Sequence, residues 1–565
     1  VLPAAGPAAV GPGPSRPAGA VPDTILRPPW DRRRIALVLA LGLGGAAAAA
    51  SLPRAGISPT ALVAGLSDIR SLVARMLPPH FPDLAGTVRL VLETFLMAFA
   101  GTVLSLLLTV PLAVLAARNT TTGRIAFAGA RAVIAACRAV PDLVFALVFV
   151  RALGLGVLPG ILALALHSVG MLGKLLADAV EGVPPGPLDA IRSAGGSRGQ
   201  VLAGGVLPQV VPTMIGTFLY RLDINVRLST VLGFVGAGGI GLELRATLGN
   251  LRYQEALGIV IVIFALIVAV EAVSVAVRHT VLADPRSSTG AGAGTGAGRG
   301  AGRGGHRLRP PWTATRRWQA AYALAFGAVL VASATATGVN PLDPLLALPA
   351  LWDVARQFVP PDLRSIRTAL VPAMVETVAI GVAATVVGSL LSVPLAFLAA
   401  RNLTPNRGLY LAARGIVLAV RGVPELVLAV IFVAAVGLGP FAGALALGIA
   451  TVGFMAKLLA DALEELDQGP RDALDATGAT RTQQTASAVV PQAMPALVAN
   501  VLYMLDINVR SSVILGIVGA GGIGFLLVQS VRTLEFQVTA GILACVFVVV
   551  YGIERLSAWL RSHLL

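Results

Sequence analysis

Charged side chains inside apolar runs carry the first chemical content, because a charge in hydrocarbon is costly unless something uses or neutralises it. Three pairs stand four residues apart: Arg138 with Asp142, Lys174 with Asp178, and Asp223 with Arg227. All three recur as Arg421 with Glu425, Lys457 with Asp461, and Asp506 with Arg510. A spacing of i to i+4 puts both members on one helix face, so each pair can neutralise itself. That reading fits the Lys–Asp pairs best. Arg138 and Arg421 instead precede Pro141 and Pro424, which break a helix and can turn two arginines toward a shared axis. There they suit brief contact with an anion in transit, since a pathway that holds its cargo does not conduct. Asn225 and Asn508, inside the third pair and its copy, complete the candidate pathway set. Arg131 and Arg414 fall on the same face seven residues earlier and also suit anchors at an inner membrane surface. Arg221 becomes Met504 in the copy and His167 becomes Ala450, so the pathway need not be symmetric. His167 reads as a packed core histidine.

A second motif offers a different chemistry. Gly236-Ala-Gly238-Gly239-Ile-Gly241 satisfies G-x-G-x-x-G, and Glu255 follows at the distance of a ribose-binding acid. The dinucleotide fingerprint needs a strand before it and a helix after it. Here an apolar run precedes it, and Val538 stands where the copy would need the acid. Dinucleotide binding is rejected. The same glycines, repeated as Gly519, Gly521, Gly522 and Gly524, suit either close helix packing or a broken helix acting as a gate at the outer face. No G-x-x-x-x-G-K-[ST] occurs, so this chain is not expected to hydrolyse ATP, and no cofactor or metal is assigned to it. Cys137 and Cys545 lie in apolar runs at non-equivalent positions, which suits burial as small hydrophobes. An intramembrane enzyme would need an unpaired nucleophile or a metal cluster, and neither is evident.

The elements that hold these residues must lie in lipid. Of 565 residues 56% are hydrophobic and 13% charged, a balance that excludes a soluble globular enzyme and a disordered tail protein. The apolar mass is Ala, Leu, Val and Gly, and small residues let helices approach closely in a membrane. The formal charge of +15 would suit nucleic acid, but it is concentrated. Eight arginines and one acid lie between Arg278 and Arg317, and Arg32, Arg33 and Arg34 precede the first apolar run. Basic residues beside spans mark the cytoplasmic side, and no module that reads nucleic acid accompanies them.

The chain is written twice. Glu93-Thr94 recurs as Glu376-Thr377, Arg118-Asn119 as Arg401-Asn402, and Pro208-Gln209 as Pro491-Gln492, all at a shift of 283. From Asp223 to Gly241, 15 of 19 residues equal those from Asp506 to Gly524. The expected organisation is a disordered cytoplasmic arm over 1–34, a first half over 35–279, a flexible Gly/Ala/Arg linker over 280–317 and a second half over 318–565. Six spans are expected per half, in the first at 35–52, 90–117, 124–153, 158–178, 206–228 and 256–278, the third bent near Pro141. Arg118 and Arg124 flank one turn while 154–159 has no charge, so the former turn, both termini and the linker are expected in the cytoplasm. An even count makes the halves parallel repeats about an axis along the membrane normal, with a shared pathway between them.

Between the fourth and fifth spans each half carries a polar insert on the expected cytoplasmic side. The first contains Asp189-Ala190, then Gly195 and Leu207-Pro208; the second contains Asp472-Ala473, Gly478 and Val490-Pro491. This pattern resembles the EAA loop of ABC importer permeases, whose coupling helix docks on the nucleotide-binding subunit. Departures are Asp for Glu, Ile191 or Leu474 for the second Ala, and Gly205 or Ala488 where the family often has Ile. The stretches from Asp223 to Gly241 and from Arg421 to Leu426 are similar to phosphonate importer permeases. The resemblance covers most of both halves and implies an all-α type I importer fold with about twelve spans, two permease units fused in tandem. It further implies a homodimeric ABC ATPase that binds ATP and Mg, an extracytoplasmic phosphonate-binding protein, and a bacterial plasma membrane. Phosphite, phosphate or another oxyanion is the alternative cargo. An ion-coupled transporter of six plus six spans is the alternative from another class; it should lack paired coupling loops.

Overall fold

The computed structural model describes residues 32–81, 83–281, 314–340 and 342–564. Nearly all of the expected arm, and 282–313 of the expected linker, lie outside the described residues. The first half runs α1 (Arg32–Arg54), α2 (Pro59–Met76), α3 (Leu84–Ala116), α4 (Arg124–Ala139), α5 (Asp142–Leu153), α6 (Val157–Glu181), α7 (Pro185–Ser193), α8 (Leu207–Leu232), α9 (Ile240–Gly249) and α10 (Tyr253–Val281). The second repeats this order as α11 (Ala314–Ala336), α12 (Leu348–Arg356), α13 (Arg367–Ala399), α14 (Arg407–Gly422), α15 (Glu425–Val436), α16 (Pro440–Glu464), α17 (Gly469–Ala476), α18 (Val490–Leu515), α19 (Ile523–Arg532) and α20 (Phe536–Leu564). Each helix has its counterpart ten numbers later. Among the described residues no strand occurs.

Among the described residues eight helices are long and apolar enough to cross a membrane: α3, α6, α8, α10 and their four counterparts. The pairs α4/α5 and α14/α15 make two further crossings, bent by 89° and 86° at the prolines. Val140 and Val423 take the extended conformation that a residue before proline prefers, which stops α4 and α14. The eight helices and two bent pairs make up to ten crossings among the described residues, against the twelve expected; the 23-residue helices α1 and α11 stand at the first-span places but are not among them.

In each half the core is built on one central helix. In α6 and α16, 72% of the apolar window is buried, against 28–44% in the other six. Gly101 of α3 meets Leu164 of α6 so closely that a Cβ would collide, and Gly388 of α13 meets Thr451 of α16 in the same way. Small residues thus give these helices the intimate packing that lipid alone does not drive.

The first helices are exchanged between halves. α1 packs on α13, and α11 packs on α3. Ser333 donates its hydroxyl to the Leu96 carbonyl at 3.0 Å, and the Phe326 ring sits 5.2 Å from that of Phe99. α2 follows α1 across, so that Gly56 and Gly65 lie against Phe441.

Candidate translocation site

Arg138 and Arg421 end α4 and α14, at the bends. Gly170 of α6 and Gly453 of α16 carry no side chain where one would strike the backbones of Arg138 and Arg421, which fixes both arginines against the central helices. Neither arginine pairs with its i+4 carboxylate, because the proline places that carboxylate on the next helix. Instead Arg138 Nη2 meets Glu554 Oε1 at 2.8 Å, and Arg421 Nη1 meets Glu271 Oε1 at 3.1 Å. Glu271 of α10 and Glu554 of α20 are themselves equivalent at the 283-residue shift, so the two ion pairs cross between the halves reciprocally. Arg227 extends one of them: it lies 3.9 Å from Glu271 and donates to the Arg421 carbonyl at 3.2 Å. The i,i+4 pairing expected for Asp223 with Arg227 and Asp506 with Arg510 is present, at 3.1 and 3.3 Å.

The other expected pairings are redistributed. Asp178 lies 3.6 Å from Arg131 rather than against Lys174, and Asp461 lies 3.1 Å from Arg414 rather than against Lys457. Arg131 also meets Glu181 at 3.1 Å and donates to the Ala116 carbonyl, with Arg414, Glu464 and Ala399 repeating the pattern. These two arginines lock the ends of three helices in each half. Asp142 accepts from the Leu143 amide and Glu425 from the Ser511 hydroxyl, each within its own half. Asn225 and Asn508 are buried and bonded within their own halves. Asn225 donates to Thr102 and Ser168 at 2.8 and 3.1 Å, and Asn508 to Thr385 and Thr451, both at 2.9 Å. Arg221, 2% exposed, donates to the Ser168 hydroxyl. Sequence reasoning missed Glu271 and Glu554. Their signal was a lone acid in the last span of each half, repeated at the common shift.

The glycine stretches break a helix and pack closely at once. α8 ends in a 3-10 turn, Gly236 and Gly239 take φ of +97° and +72°, and α9 then starts at Ile240. Gly241 lies against the Thr230 carbonyl with no room for a Cβ. Thr94 accepts from the Ile240 amide at 2.9 Å, and Glu93 from the Gly239 amide at 3.0 Å. Thr377 does the same for Ile523 at 2.7 Å. The Glu-Thr pair that marked the repeat therefore caps α9, and its threonine caps α19 in the copy. Gly519, Gly521 and Gly522 repeat the positive φ, and Gly524 the close approach.

At one end of the molecule α7 and α17 follow the C-terminal ends of the central helices α6 and α16. Leu188 is buried in α7, while Asp189, Ala190, Gly195 and Pro208 are exposed. In the second insert Asp472, Ala473, Gly478 and Pro491 are exposed. Gly195 and Gly478, at φ of +80° and +77°, end the short helices in left-handed turns. At the opposite end a cavity of about 1680 Å³ lies between the halves, lined by α5, α9 and the α5–α6 turn and by their counterparts.

A family model described as "Binding-protein-dependent transport system inner membrane component" matches twice, over residues 109–286 and 392–563. The phosphate-import permease protein PhnE of Mycolicibacterium smegmatis is 49% identical over 510 residues, covering 90% of this chain and 91% of that protein. The phosphite transport system permease protein PtxC of Stutzerimonas stutzeri is 43% identical over 222 residues, covering 39% of this chain and 81% of its own length. A solved structure of the MetNI methionine ABC transporter, in an inward-facing conformation, matches 36% of this chain and all of that one at 26% identity, with a TM-score of 0.33. Two family matches in register with two sets of crossing helices and paired exposed inserts lead to one conclusion: the chain belongs to the binding-protein-dependent transport system inner membrane components, the transmembrane subunits of ABC importers, and holds two such units in tandem.

Proposed function

We propose that this permease carries phosphonates inward, powered by a homodimeric ABC ATPase that binds ATP and Mg and docks on α7 and α17. An extracytoplasmic binding protein delivers the cargo to the opposite end, where the cavity lies. On this reading the insert end is cytoplasmic, together with both termini and the linker, and the membrane is the bacterial plasma membrane. The carrying observation is the relation to PhnE through 90% of the chain, across both halves. That relative's name favours phosphate as a second cargo, and the cavity suits either tetrahedral anion. The paired inserts weigh against an ion-coupled transporter, which has no motor to dock.

The decisive measurement is uptake into proteoliposomes holding the chain, its ATPase and its binding protein. Methylphosphonate should enter with ATP and not with an ion gradient; uptake of phosphate alone would transfer the assignment to phosphate. Docking is tested separately. Gly195→Glu with Gly478→Glu puts bulky acids at exposed left-handed turns with open space around them. The protein should still insert but lose its ATPase on purification, and retained ATPase would remove the docking role.

A further inference from the structure

The cavity between the halves has a charge pattern of its own. Arg151, in the last turn of α5, Arg245 of α9 and Arg532, which ends α19, line it, and no acidic side chain does. All three arginines are exposed. Arg245 donates to the Phe234 carbonyl at 2.6 Å, which aims its guanidinium. Among the described residues no carboxylate lies within ion-pair distance of any of them, whereas Arg131, Arg138, Arg227, Arg414, Arg421 and Arg510 are all paired. If the insert end is cytoplasmic, these three sit on the side where spans ordinarily avoid arginine. An anchoring role does not account for cations that turn into a cavity instead of flanking lipid.

Their placement is also lopsided. The 283-residue shift carries Arg151 onto Ala434, Arg245 onto Val528, and Gly249 onto Arg532, and all six positions line the cavity. Each arginine therefore has a neutral mate across the pseudo-twofold axis. Two cations come from the first half and one from the second. The ion pairs deeper in the interface keep the twofold; the cavity does not. Guanidinium forks match the oxygens of a tetrahedral oxyanion, and a site built from three of them holds it to one side of the axis.

We propose that Arg151, Arg245 and Arg532 form an off-axis receiving site for a phosphorus oxyanion, where cargo leaves the binding protein. This rests on the cargo reading above. Such an off-axis site needs unlike halves, because two identical subunits would present each pair of mates alike, both arginine or both neutral.

The test uses the complete transporter in proteoliposomes, with methylphosphonate and inorganic phosphate as probes. Arg151→Gln and Arg532→Gln should each lower kcat/KM for uptake roughly tenfold or more, the scale of a lost charge-assisted contact. Arg151→Lys should recover part of that loss. Ala434→Gln and Gly249→Gln, at the neutral mates, should stay within about threefold of wild type; a Cβ at Gly249 meets nothing. Affinity for the loaded binding protein should not change. Wild-type uptake with unaffected Gln variants would overturn this site alone. Equal losses at the neutral mates, or weakened docking that accounts for the whole loss, would replace it with a steric or protein-contact role. A wild type that imports neither anion would overturn the cargo reading and this site with it.

Discussion

At the scale of single residues, the two ion pairs that cross the interface do different amounts of work. Arg421 and Glu271 keep 15% and 26% of their side chains exposed, and Arg138 and Glu554 keep 35% each. Solvent screens the second pair more strongly, so its net contribution falls toward that of a surface bridge. Glu271→Gln, which leaves an enclosed guanidinium without its counter-charge, should cost roughly 1–3 kcal/mol. Glu554→Gln should cost less than about 1 kcal/mol. Thermal unfolding of the two variants in detergent orders them, and the reverse order would mean the inner pair is not the enclosed one. The pairs also change what the arginines do. An arginine bonded across the interface acts as a latch between halves, whereas a cargo contact would need it free. The exchange Arg421→Glu with Glu271→Arg keeps the latch but moves the guanidinium to another helix. Uptake near wild type in that double variant supports the latch, and a loss equal to that of Arg421→Gln supports cargo contact.

At the scale of elements, the short helices α9 and α19 exist because their first turns are capped from elsewhere. Four amides at a helix start lack internal partners, and here a threonine from α3 or α13 supplies one acceptor. Thr94→Val or Thr377→Val keeps the shape and removes the acceptor, at about 1 kcal/mol each. Faster hydrogen exchange at Ile240 or Ile523, with α3 and α13 unchanged, is the expected result; unchanged exchange would make the bond incidental. Much of this architecture was legible beforehand. Apolar run length located the spans, Pro141 and Pro424 located the bends, and the insert pattern located α7 and α17. The Glu-Thr pair was visible only as a repeat marker, because its partner lies 146 residues away. The same limit explains Arg138. Spacing along the chain offered Asp142 as its neighbour, but the bend removed Asp142 and the fold supplied Glu554, 416 residues distant. Local periodicity reports faces of one helix; it carries no information about which other helix arrives there.

At the scale of the whole molecule, the exchanged first helices decide how the two units stay together. α1 lies on the second half, α2 packs on α15 of the second half as well as on α10 of the first, and α11 lies on the first, so each half is partly built from the other's chain. A Gly/Ala/Arg tether contributes only an effective concentration, whereas the exchange buries surface such as Ala55, fully enclosed among Ile380, Ala383 and Ala442. The interlock, rather than the tether, should hold the pair. A protease site inserted within 287–305 should then leave the two fragments co-purifying through a detergent wash and still active in uptake. Deleting residues 1–76 from the cleaved chain removes α1 and α2 and strips that cover from the second half. The fragments should then separate, or the second should aggregate, while the intact chain lacking 1–76 stays joined covalently but unfolds at a lower temperature. Fragments that part on cleavage alone would assign the union to the tether. The divergence seen in the cavity would then depend on covalent fusion, because only a joined pair guarantees that two unlike halves meet.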